Sequence, residues 1–296
     1  MRMLVLALLL LFATPALAVD GMLEINQTCA VETGCFAGDT AGFPVDLTES
    51  GSYRLTGDLD ASGADRAIQI SVSDVTLDLN GFKIANAGSR GVTTTNDFDD
   101  FENLAVLNGV IIAEGGYAVM LGDGERARVE RMRVRSGGSG IIPGITAGPH
   151  CHIADNVVST PGDNTIGISA AEGCVVRGNA VQSGGRGITC SRCTIANNTI
   201  SPTSQGIQAG ASTITGNTIN GGTVGIQTLS EGGCVVIGNT VTDASGFGFI
   251  GGSNGFGALA HNVFWNNNGG NANAQISSSG FIQTDANLCG TDATCP

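Results

Sequence analysis

Lysine is almost missing from this sequence. Lys83 is the only one among 296 residues, charged side chains make up 13%, and there are just 7 prolines. Long amphipathic helices need Lys, Glu, Ala and Leu on a 3.6-residue period, so the shortage argues against a helical fold. No apolar run after the N-terminus reaches spanning length, and no membrane span is expected. Positive charge is scarce too: 13 Lys and Arg face 26 Asp and Glu, a net charge of −13. A chain of that charge repels nucleic acid and anionic lipid as a whole. The exception is local. Five arginines fall between Arg126 and Arg135, whereas 19 of the 26 acids lie at or before Glu130.

What the chain has in quantity is glycine, 46 of them, punctuating short Val/Ile/Thr segments. That is strand-and-turn composition. The N-terminus reads as a secretory signal over residues 1–18: Arg2, the apolar run Leu4 to Phe12, and the Ala16-Leu17-Ala18 cleavage site. The mature chain is expected to begin near Val19 and to be secreted, periplasmic or held at the cell surface. Nine cysteines in an exported chain point to disulfides. Cys29 with Cys35, and Cys289 with Cys295, are each spaced to close a small loop that pins a chain end. The partners of Cys151, Cys174, Cys190, Cys193 and Cys234 stay open.

A repeat fixes the fold class. VVRGNAV, TIANNTI, TITGNTI and VVIGNTV each carry an Asn followed two positions later by a β-branched residue. The series is Asn156, Asn179, Asn198, Asn217, Asn239 and Asn262, and Gly109 and Met132 fill the slot in two earlier copies. Most copies then show a Gly-Ile mark, as in Gly187-Ile188, Gly206-Ile207 and Gly225-Ile226. A period of about 19 to 24 residues is too short for a βαβ unit or a propeller blade. It suits one coil of a parallel β-helix, and the Leu-x-x-Leu-x-Leu spacing of a leucine-rich horseshoe is missing. The expectation is an all-β, single-stranded right-handed parallel β-helix of about eight or nine coils. Residues 19–66 supply an N-terminal cap and first strands, 67–264 the coils, and 265–296 a C-terminal cap.

Strand alternation assigns the faces. Three positions before each Asn, the column Val106, Val129, Ile153, Val176, Ile195, Ile214, Val236, Leu259 points inward. Two positions after it, Ile111, Val134, Val158, Val181, Ile200, Ile219, Val241, Phe264 does the same. The column Cys151, Cys174, Cys193, Ser212, Cys234 shares the inward parity. The Asn column is expected to stack amide on amide, with Asn also accommodating a left-handed bend.

On these coils, and on Val75-Thr76-Leu77-Asp78-Leu79-Asn80-Gly81 and the Asn287-to-Pro296 tail, the chain resembles the secreted bacterial right-handed β-helix proteins with pectate-lyase-like repeats. The resemblance implies the fold more than an activity, because lyases, hydrolases, epimerases and non-enzymes share it. The G-H-G and R-I-K motifs of polygalacturonases are missing, as is the D-P-H-D of alginate epimerases. Gly148-Pro149-His150-Cys151-His152 does not replace it.

Outward positions on the early coils carry the chemistry. Arg128, Glu130 and His152 form a candidate catalytic group for general acid/base work, and Arg131, Asp155 and Arg177 are candidate substrate-binding residues beside it. An arginine can grip a uronate carboxylate bidentately, so the expected partner is an acidic polysaccharide. Stacked Arg128 and His152 would need Glu130 and Asp155 as counterions. No cofactor is required, although Asp97, Asp99, Asp100 and Glu102 can be read as oxygen ligands for Ca²⁺. Thr194, Thr199, Thr213, Thr218 and Thr240 line the later coils. Two functions follow: a non-catalytic exported β-helix that binds polysaccharide or serves as a surface element, or a polysaccharide lyase or glycoside hydrolase acting on an acidic glycan.

Overall fold

Three short strands per coil, separated by bends, build the chain. In one coil they are Val175–Arg177, Ala180–Ser183 and Arg186–Ser191. The structure is a computed structural model that describes residues 21–95, 101–122, 124–138, 140–230, 232–252, 256–277 and 280–292. The expected signal segment therefore lies outside the described residues. All named pairings between strands are parallel; for example, Val176 lies against Ile153 on one side and Ile195 on the other. The first two strand columns merge into one 20-stranded sheet and the third forms an 11-stranded sheet. The chain is a parallel β-helix. Eleven strands in the third column exceed the eight or nine coils expected. The additional coils lie at the N-terminal end, where Leu23–Ile25, Gly51–Leu55 and Val75–Asp78 run in register without a ladder Asn to mark them.

The interior is narrow and continuous. The column from Val106 to Leu259 is at most 1% exposed and the column from Ile111 to Phe264 at most 3%. The third wall comes from the Gly-Ile mark, with Ile168, Ile188, Ile207, Ile226 and Phe249 fully buried. The glycine of that mark is set by close approach. A Cβ on Gly206 would lie 2.5 Å from the Gly225 carbonyl oxygen and 2.6 Å from Ile219 Cγ2.

The Asn column is a ladder closed at every buried rung. Asn179 Nδ2 donates to Asn198 Oδ1 at 2.9 Å and to the Ile153 carbonyl at 3.0 Å, and the Asn179 backbone N–H donates to the same Asn198 oxygen. The pattern runs from Asn156 through Asn262 and ends on Asn287 Oδ1, a rung the repeat had not disclosed. One expectation changes. The left-handed bend belongs to the residue before each ladder position: Arg131 (before Met132), Asp155, Asn197 and His261 have φ between 53° and 58°, and Gly178, Gly216 and Gly238 fill the same place in other coils. The ladder Asn stays free of that bend, so its amide can point straight at the next rung.

Candidate functional site

Arg128–Ser136 is a nine-residue strand that crosses the bend at Arg131. Its register sets Arg128 against His152 and Glu130 against Ala154. The Arg128–His152 stack expected on one outward column is therefore formed. Between them, Glu130 is 7% exposed and gathers the surrounding cations. Arg128 Nε donates to Oε1 at 3.1 Å and Nη2 to Oε2 at 2.8 Å. Arg131 Nη1 reaches Oε2 at 3.1 Å, and His152 Nδ1 lies 2.8 Å from Oε1. The Arg128 hydrogen bonds, with those from His152 behind them, outweigh the upward push of burial and hold the Glu130 carboxyl at about 2.

Each carboxylate oxygen thus accepts two hydrogen bonds, and a carboxylate has about four such acceptor sites. Glu130 is saturated. His152 is occupied on both sides as well, because Arg177 Nε donates to its Nε2 at 3.2 Å. Arg131 spends its Nε on Asn108 Oδ1 at 2.6 Å. Asp155 does not join the group. It sits at the left-handed bend, its backbone N–H donates to the Arg177 carbonyl at 3.1 Å, and it forms no ion pair among the described residues. Glu130 alone supplies the counterion expected from two acids.

Two functional candidates escaped the sequence reading. Past the bend, Arg133 and Arg135 point outward from the strand that carries Glu130, are exposed, and form no ion pair with any described carboxylate. Their signal was the alternation Arg131-Met132-Arg133-Val134-Arg135, with Met132 and Val134 buried. A shallow groove beside them is lined by Gly81, Asn108, Gly109, Val110, Arg131 and Arg133.

Other candidates scatter. Asp97, Asp99 and Asp100 lie outside the described residues, and Glu102 pairs with Arg126. Cys29 and Cys35 form a disulfide with a Cα–Cα distance of 4.6 Å. Cys289 is disulfide-bonded, and Cys295 lies outside the described residues. The open pairings resolve as Cys151–Cys174 between adjacent coils and Cys190–Cys193 within a bend. Cys234 is buried in the same inward column. Among the described residues no three His, Cys, Asp or Glu side chains converge on a point that can hold a metal ion, and no helix is long and apolar enough to cross a membrane.

No curated protein matches the chain by sequence. Among solved structures, the Dettilon tailspike protein is similar at 16% identity over 82% of this chain, with a TM-score of 0.46. This chain spans 57% of that tailspike chain. The A-module of a mannuronan C-5 epimerase from Azotobacter vinelandii aligns at 11% identity, covering 81% of this chain and 87% of its own, with a TM-score of 0.49. DFA-IIIase from Arthrobacter chlorophenolicus A6, without its lid, aligns at 14% identity, 80% and 68% coverage and a TM-score of 0.42. A family model described as "Periplasmic copper-binding protein (NosD)" matches residues 101–285. That match takes in well over half of the chain, which belongs to the NosD family of periplasmic β-helix proteins.

Proposed function

We propose that this protein is an exported, non-catalytic β-helix that binds an acidic polysaccharide through its arginine-bearing coil. The observation that carries the reading is a contrast on one strand. Arg128 and Arg131 are committed to Glu130, while Arg133 and Arg135 are exposed cations with no described carboxylate to neutralise them. Guanidinium forks match the carboxylates of uronate sugars. On a chain of net charge −13, such a strip selects anionic ligands locally while the rest of the surface repels them. Three disulfides among the described residues and membership of a periplasmic family support export.

The same geometry weighs against acid/base catalysis by Arg128, Glu130 and His152. A general base works best with a pKa near the operating pH and a free lone pair. Glu130, at about 2 and with four bonds accepted, has neither.

The family's description names copper, and the donors here do not fit that ion. Copper takes imidazole, thiolate and thioether ligands. Both nitrogens of His152 are engaged, six cysteines are tied in pairs, and no three His, Cys, Asp or Glu side chains converge among the described residues. No copper-dependent step forms part of this reading.

Calorimetry of the mature protein against polygalacturonate, alginate and a neutral glucan tests the proposal, with unsaturated products and reducing ends followed in the same mixtures. Binding of the acidic chains with no products supports it. Turnover of either acidic chain, or equal binding of the neutral one, overturns it.

A further inference from the structure

The outer face beyond the bend does not stop at the arginines. Register carries the Arg135 position through Ser159, Gln182 and Ser201, then Asn220, Thr242 and Trp265. The parallel outward column runs from Arg133 through Val157, Ala180, Thr199, Thr218 and Thr240 to Val263. Trp265 is the only tryptophan in the chain and is 43% exposed on the last strand of this face, Val263–Trp265. The half-exposed indole offers a flat face that suits the apolar face of a sugar ring.

From this placement, and resting on the acidic-glycan reading above, we infer that the polysaccharide lies along the helix axis, with carboxylates held by Arg133 and Arg135 and a ring stacked on Trp265. Six coil steps separate the two ends, a span of about 29 Å at about 4.8 Å per step. With one sugar ring per coil step, the six steps of about 4.8 Å need about seven linked units to reach from arginine to tryptophan. Along the Arg135 column the side chains between the ends are polar and offer hydroxyls and amides to sugar hydroxyls, while Val157 and Ala180 of the neighbouring column present small apolar surface. The charge is graded along this path. Asp243, the acid beside Trp265, is held by Asn220 at 3.1 Å and Asn266 at 2.6 Å.

A lone tryptophan makes the test direct. Oligogalacturonates of increasing length are titrated while the intrinsic fluorescence and the heat of binding are recorded. The expected result is that short oligomers bind without moving the emission. Oligomers longer than about six units should bind at least about tenfold tighter and shift it. Trp265→Ala should remove the gain with length and leave short-oligomer binding unchanged. Arg133→Ala/Arg135→Ala should weaken every length. Binding that is independent of length, with emission unmoved and Trp265→Ala neutral, overturns the axial path and leaves the acidic-glycan reading standing. Failure of every acidic oligomer to bind overturns both.

Discussion

Arg177 Nε donates to His152 Nε2 across adjacent coils at 3.2 Å, which requires a lone pair on that nitrogen. In the neutral ring the proton then sits on Nδ1, where it donates to Glu130 Oε1 at 2.8 Å. The imidazole is a bridge between a saturated carboxylate and an arginine, and its tautomer follows from its two partners. Nitrogen-15 shifts of the His152 ring should show a protonated Nδ1 and a bare Nε2 in the neutral form. A neutral ring protonated on Nε2 would break the proposed chain of contacts.

Glu130 should make stability depend on acid. Its folded value of about 2 lies below the ordinary 4.5. A group depressed in this way contributes its stability above the unfolded value and loses it as pH falls from about 4.5 toward 2, a contribution of about 3 kcal/mol. Urea unfolding at neutral pH and near pH 3 should show a smaller acid-induced loss in Glu130→Gln than in the parent chain. Identical losses would mean that the carboxylate is not held by its arginines.

Much of this was legible in advance, and the reasons differ by residue. The inward columns could be read because a strand alternates strictly and each coil repeats the pattern, so Val176 and Ile195 had to stack. The ladder could be read because a buried Asn needs a partner and the nearest is its own copy. Asn287 was hidden since the spacing drifts after Phe264, and the bend residue was misplaced by one because left-handed backbone favours Asn, Gly and Asp alike. At the site, the stack of Arg128 on His152 followed from register, whereas the exclusion of Asp155 and the isolation of Arg133 and Arg135 depend on where long side chains swing, which spacing does not encode.

Asn198→Leu should cost about 1–3 kcal/mol. It strips the side-chain acceptor from the backbone N–H of Asn179 and the Nδ2 donor from the Val176 carbonyl, while Asn179 Nδ2 keeps the Ile153 carbonyl and Asn217 Oδ1 keeps the backbone N–H of residue 198. Each buried group left unpaired costs about 1–3 kcal/mol. Chemical denaturation of the variant checks this, and a change near zero would show that water replaces the rung.

Gly206→Ala tests the close approach of coils at the third wall. The added methyl meets the Gly225 carbonyl oxygen and Ile219 together, so overpacking should destabilise by about 1–3 kcal/mol. An alanine tolerated without loss would show that the coils stand farther apart at this point.

The central claim is that the cations left unpaired past the bend, and not the saturated group before it, bind the acidic glycan. The most direct measurement compares polygalacturonate affinity in Arg133→Ala/Arg135→Ala and in Arg128→Ala, with far-ultraviolet circular dichroism confirming the fold of each. The account predicts that the double variant loses at least about tenfold in affinity, about 1.4 kcal/mol, while Arg128→Ala binds nearly as the parent does. Retained binding in the double variant, together with its loss in Arg128→Ala, would contradict the account and return the function to Glu130 and His152.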